Sequence, residues 1–201
     1  MFYLFHGNDT YSRDEYVDGL LAKQGDPDMV SLNTTRLDSR LTFSELQQAC
    51  DALPFLAQAR IVLVHDLLAS VPDKTFMEKL VTYLPQLPAT TRLIFLESQP
   101  LPENHRIIKL AAKEETGHVK RFDRPEGLGL ERWVRDHVVA QGSRIAPQAA
   151  QLLAANVGSD LDALSNEIEK LVIYKGSEEP IEVADVLTLS PYVAEANIFE
   201  L

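Results

Sequence analysis

Residues 7–13, Gly-Asn-Asp-Thr-Tyr-Ser-Arg, lie between an apolar run and a helix-period segment and are the first place to look for chemistry. A glycine-rich turn entering a helix can receive a phosphate on backbone N–H groups and the helix dipole. That chemistry needs glycines for close backbone approach and a lysine for the outer phosphates. Here Gly7 is the single glycine, no lysine follows, Asp9 puts a carboxylate where phosphate would sit, and Arg13 is the sole cation. Gly7, Asn8 and Asp9 therefore read as a degenerate phosphate loop, and no nucleotide cofactor is expected.

Other chemistry is sparse. Asp66 follows an apolar run, where a magnesium-binding acid would stand, but His65 precedes it and no second acid follows, so it reads as a turn residue. His6, His65, His105, His118 and His137 lack metal-ligand spacing, so no metal is expected and each reads as a surface or strand-end residue. No GxSxG elbow is present. Cys50 shares the apolar side of its helix with Leu46 and Leu53, which suits a core side chain better than a nucleophile. Glu167, Glu169 and Lys170 read as a solvated helix face. One local feature stands apart. Pro54 pushes Leu53 out of helical geometry, leaving Phe55 and Leu56 in the connection to the next strand. Large apolar side chains there either fold back into the core or are presented to a partner, and the residues alone leave both open.

The elements that must position these residues alternate. Residues 2–7, 29–37, 60–67, 92–97 and 118–122 read as strands, and 12–24, 42–53, 73–84 and 103–116 as helices. Ser12 with Glu15, and Thr42 with Glu45, have capping-box spacing. The alternation predicts an α/β domain with a largely parallel sheet and helices on its faces over residues 1–124. Pro125, Gly127 and Gly129 mark a hinge over 125–129. Residues 130–201 then read as a small helical bundle, with Leu130, Val134 and Val138 on one helix and Pro147 opening the next. Ser159 is expected to cap a third helix, and a fourth short helix follows Pro180.

The chain has 201 residues, 45% apolar and 24% charged, which is ordinary globular usage and enough for a substantial core. Its formal charge of -11, from 19 Lys+Arg against 30 Asp+Glu, argues against a chain that holds nucleic acid mainly by itself. A single cysteine excludes an internal disulfide, and apolar runs are too short to cross a bilayer, so a cytoplasmic protein without membrane contact is expected.

An α/β core followed by a helical lid is the layout of AAA+ proteins. More specifically, FYLFHGND with Glu15 following, LPFLAQARIVLV, TRLIFLE, and VGSDLDALSNEIEKLVIY followed by ANIFEL resemble, in order and spacing, the delta subunit of bacterial DNA polymerase III. That family is the clamp-loader subunit that binds and opens the sliding clamp. The resemblance implies an AAA+-like first domain without a working ATP site, the helical lid, and a third, collar domain that joins the clamp-loader pentamer. The sequence stops at Leu201 as ANIFEL would lead into the collar, so a piece of a longer protein is expected.

In the family the clamp is held by a hydrophobic plug before the third strand. The matching positions are Phe55 and Leu56, with Leu53 brought in if the register slips by a residue. The resemblance implies DNA replication within the DNA polymerase III holoenzyme, a DNA-directed DNA polymerase and nucleotidyltransferase as a complex, with no catalytic residues or intrinsic activity in this chain. Implied partners are the sliding clamp, the other loader subunits through the missing collar, and primer-template DNA only within the full complex. The alternative is a divergent AAA+ ATPase using Arg13 as a substitute cation. The related stator-type subunit is disfavoured, because its zinc-binding cysteines and Ser-Arg-Cys finger are absent.

Overall fold

A computed structural model describes residues 1–70 and 73–190, which fall into two compact units that divide between Asp123 and Arg124. The run Ala196 to Leu201, ANIFEL, lies outside the described residues. The first unit is built on five parallel strands: β1 (Phe2–His6), β2 (Thr34–Leu37), β3 (Arg60–His65), β4 (Thr91–Glu97) and β5 (Gly117–Arg121), in the order β2-β3-β4-β1-β5. Phe2 pairs with both Leu93 and Gly117, and Val62 lies beside Thr35 and Leu93.

Strand alternation sends side chains to two cores. On one face Phe2, Leu4, Val62, Val64, Leu93 and Phe95 pack against α3 (Phe43–Asp51), α4 (Lys74–Tyr83) and α5 (Arg106–Ala111). On the other, Phe5, Ile61, Leu63, Ile94 and Leu96 pack against α1 (Thr10–Ala22) and α2 (Pro27–Leu32) through Val17, Leu20, Leu21 and Val30. Cover on both faces explains why the three central strands are continuous apolar runs. A fully buried Leu, Val or Phe in them contributes roughly 1.5–3 kcal/mol, so these strands hold the strand ends, and the loops on them, in place.

Several helix boundaries differ from the sequence expectation, each for a local reason. The run at 29–37 is not one strand. Asp26 accepts from the Asp28 and Met29 N–H groups and Pro27 takes the first turn, so the chain is helical to Leu32 and extended only from Thr34. Helix α1 is capped by Asp9, whose Oδ1 accepts from Ser12 N–H at 2.9 Å, so Ser12 lies inside the helix and its capping box with Glu15 does not form. The box of Thr42 and Glu45 does form. Helix α5 occupies only Arg106–Ala111, because its apolar spacing ends there and Gly117 N–H turns back to the Glu114 carbonyl. Helix α3 stops at Asp51 with Ala52 already extended, which puts Leu53 in the connection with Phe55 and Leu56.

The second unit holds α6 (Leu128–Ala140), α7 (Pro147–Val157), α8 (Leu161–Lys175) and α9 (Val183–Leu189). Leu130, Val134, Val138, Leu153, Leu164 and Ile168 are among its buried side chains. Gly129, expected in the linker, lies inside α6, which starts at Leu128 after Gly127 at φ +50°. Asp160 rather than Ser159 caps α8, by accepting from Ala163 N–H. Glu167 is not simply solvated: it accepts from the Ser190 hydroxyl at 2.5 Å and pairs with Lys170 at 2.7 Å. His137 likewise is more than a surface residue, with its ring stacked on Trp133 at 4.6 Å and its Nε2 3.1 Å from Ser165 Oγ. Among the described residues no helix is long and apolar enough to cross a membrane.

Candidate functional site

In a parallel sheet of this kind ligands are received beyond the carboxyl ends of the strands, where Gly7, Asn8 and Asp9 follow β1. Here those ends are knitted to the protein itself. Gly7 adopts φ +134° and lies against the backbone of Phe122. The Asp9 N–H donates to the Phe122 carbonyl at 3.2 Å, and the Phe122 N–H donates to the His6 carbonyl at 2.8 Å. Asp9 is buried and its carboxylate is occupied by the Ser12 N–H. Two of the N–H groups of the loop and first turn are therefore committed to protein acceptors instead of being offered to an anion. Arg13 is buried as well. Its Nε and Nη2 both contact Asp14 Oδ1 at 2.9 Å, and its Nη1 has no hydrogen-bond partner.

The neighbouring strand ends follow the same rule. Asp66 sits at φ +50° and its Oδ1 accepts from the backbone N–H and the hydroxyl of Ser98, both at 2.7 Å, so it is a turn residue that ties the ends of β3 and β4 together. Glu97 is fully buried and accepts from Leu68 N–H at 2.9 Å and Ala69 N–H at 2.8 Å. Burial raises its pKa, partly opposed by those hydrogen bonds. His6 is buried rather than exposed, and its Nδ1 accepts from Leu101 N–H at 3.0 Å. Among the described residues no group of three or more His, Cys, Asp or Glu side chains could hold a metal ion. Cys50 is a core residue of α3, its thiol pushed up to about 12, chiefly by burial and then by Asp51.

The connection from α3 to β3 is the opposite case. Leu53 is 83%, Phe55 59% and Leu56 83% exposed, so three large apolar side chains lie within four residues in water. Leu56 is held at φ +49°, a conformation uncommon for a residue with a branched side chain. The segment is nonetheless anchored. Asn33, buried at the end of α2, takes the Phe55 N–H on its Oδ1 at 2.6 Å and gives its Nδ2 to the Phe55 carbonyl at 2.9 Å. Arg60, at the start of β3, donates to the Ala49 carbonyl at 2.7 Å and to the Thr35 hydroxyl at 2.8 Å. The structure thus brings together Leu53, Phe55 and Leu56, singled out from Pro54 and the family match, and adds Asn33. No sequence signal pointed to Asn33, because its partner is 22 positions away. Leu32, next to Asn33, is a further exposed apolar residue.

The parallel sheet between two helical layers, its strand order and the helical unit after it define an AAA+-like fold in which residues 7–9 are packed onto the backbone of Phe122. Within that class, the chain belongs to the DNA polymerase III, delta subunit family, which it matches over residues 3–121. It is 26% identical over 213 residues to DNA polymerase III subunit delta of Bacillus subtilis (strain 168), covering 99% of this chain and 59% of that relative. Among solved structures it is similar to the Bacillus subtilis DNA clamp loader delta protein (YqeN), with a TM-score of 0.75 at 19% identity over 94% of this chain and 57% of that one. A likeness to the Thermotoga maritima RuvB Holliday junction branch migration motor, TM-score 0.53 at 9% identity over 93% of this chain and 60% of that one, reflects the fold alone. The chain thus spans less than two thirds of the length of these relatives. Its family is that of a clamp-loader subunit of a DNA polymerase complex, and so belongs to DNA replication.

Proposed function

We propose that this chain binds a sliding clamp and favours its open state through Leu53, Phe55 and Leu56, without hydrolysing ATP itself. The observation that carries the reading is an anchored connection exposing three large apolar side chains, of which Phe55 and Leu56 stand at the positions that match the family's plug. Such side chains seated in an apolar pocket form the centre of an interface, and each can cost about 2 kcal/mol or more when truncated. A subunit shifts the clamp toward opening only as far as it contacts the open state better than the closed one. The hydrolysis that drives the cycle then belongs to neighbouring subunits. In the whole subunit a collar domain, which is not one of the two units here, joins those neighbours, and primer-template DNA is contacted only inside the full assembly, in the cytoplasm. The two units of this chain are an AAA+-like domain and a helical lid.

The test is surface-immobilised clamp with the 201-residue chain in solution. Replacing Phe55 and Leu56 together by Ala is expected to weaken binding by roughly a thousandfold if the two losses add. Loss of melting temperature with clamp affinity retained would remove the plug assignment.

The divergent ATPase reading keeps one observation in its favour, the partnerless Nη1 of Arg13. Calorimetry with ATP and magnesium separates the two: the committed N–H groups of the loop lead us to expect no saturable heat, and a micromolar dissociation constant would favour the enzyme.

A further inference from the structure

Asn33 does more than finish a helix. At the end of α2 its Nδ2 donates to the Met29 carbonyl at 2.8 Å, which is all that a helix terminus asks of it. The same amide also makes both hydrogen bonds available on the backbone of Phe55, accepting its N–H and donating to its carbonyl. A primary amide carries a donor and an acceptor side by side and can therefore pair with one residue as a neighbouring strand would. Asn33 is itself fixed, since its backbone carbonyl accepts from Ile61 N–H at 2.9 Å at the start of the β2 and β3 pairing. The amide thus transmits the rigidity of the sheet to a connection that would otherwise carry exposed apolar side chains on a free backbone. The left-handed geometry of Leu56, one residue further on, is of the kind that persists only where the surroundings over-determine it.

We infer that Asn33 is the positioning residue of the plug: its two-point grip on Phe55 presents Leu53, Phe55 and Leu56 to the clamp already ordered. This rests on the clamp-binding reading above. Association with a preordered surface avoids the entropy of arranging it at the moment of contact. Loss of the grip therefore lowers the fraction of molecules able to bind and appears mainly as slower association, whereas truncating a plug side chain appears mainly as faster dissociation.

The experiment compares wild type, Asn33→Ala and Phe55→Ala by surface-binding kinetics on the sliding clamp of the same organism, with amide hydrogen exchange on each free protein. Asn33→Ala is expected to slow association about tenfold, and to speed exchange of the Phe55 amide at least tenfold while the Val62 and Leu93 amides stay protected. Clamp association within twofold of wild type, or a Phe55 amide that keeps its protection, overturns the inference. Failure of the wild type to bind overturns instead the reading beneath it. Should Asn33→Ala not fold, Asn33→Asp decides. Above about pH 5 its side chain is a carboxylate, which only accepts. At about pH 7 it can keep the Phe55 N–H but has no hydrogen for the Phe55 carbonyl, so clamp association at least fivefold slower than wild type is expected, and association within twofold overturns the inference.

Discussion

A Cβ placed on Gly7 would stand 1.9 Å from the carbonyl oxygen of Phe122, closer than any real side chain comes to a backbone atom. The glycine after β1 is therefore required by the protein's own packing, and its presence says nothing in favour of a phosphate. Gly7→Ala has no flexible neighbour to displace and must also hold φ +134°. It is expected to destabilise the chain by about 3 kcal/mol or more and lower the melting temperature by roughly 10 °C. A variant melting within about 2 °C of wild type would contradict the close approach.

Leu56 leads to the reverse expectation. It packs little and holds a positive φ, so Leu56→Gly removes backbone strain of about 1 kcal/mol, while the added freedom of the unfolded chain offsets a similar amount. Urea unfolding is expected to give a stability within about 1 kcal/mol of wild type, with clamp affinity reduced roughly tenfold or more. By contrast Leu46→Ala, at a fully buried position of α3, is expected to cost about 2–5 kcal/mol.

The His6 ring is kept below its ordinary pKa of 6.5, first by burial and then by Arg121, with Asp123 opposing. The folded state therefore favours the neutral ring, whose Nδ1 accepts from Leu101. The sign follows from proton binding: below 6.5 the unfolded chain takes up a proton that the folded chain still refuses. The contribution of His6 is full above about 6.5 and is lost as pH falls through the lower, folded value. In paired melts, the advantage of wild type over His6→Gln should shrink as pH falls from about 7 to 5. A constant difference would show that His6 does not titrate abnormally.

Cys50 is fully buried and its thiol is pushed up to about 12, so almost no thiolate exists at neutral pH. Modification by a disulfide reagent at about pH 8 should follow unfolding of the first unit and accelerate with denaturant. Rapid, stoichiometric labelling of the native chain would be incompatible with this position.

The parts of this molecule that were legible in its sequence are those fixed by short-range pattern. The runs at Phe2, Arg60 and Arg92 are strands because burial on both faces demands uninterrupted apolar side chains, and Thr42 with Glu45 closes a capping box within one turn. The segment at Met29 misleads because four apolar or small residues in a row fit helix or strand equally well, and the deciding signal, Asp26 before Pro27, lies outside the run. Pro54 marked the connection, but neither the left-handed turn at Leu56 nor the grip of Asn33 has a local cause. Both follow from where the sheet places α2 beside residues distant in the chain.

The strand order also sets a schedule for synthesis. Strand β1, the earliest of the five, lies between β4 and β5, so Phe2 gains one neighbour when Leu93 has been translated and the other only with Gly117. Until Leu93 is made the ribosome carries an unpaired FYLF segment with both edges open, while β2 and β3 can already join. Ribosome-arrested chains ending before Thr91 should accordingly remain protease-sensitive throughout β1, and protection should begin once Glu97 has cleared the exit tunnel and be complete only after Arg121 has. The last strand made, β5, completes the sheet at an edge.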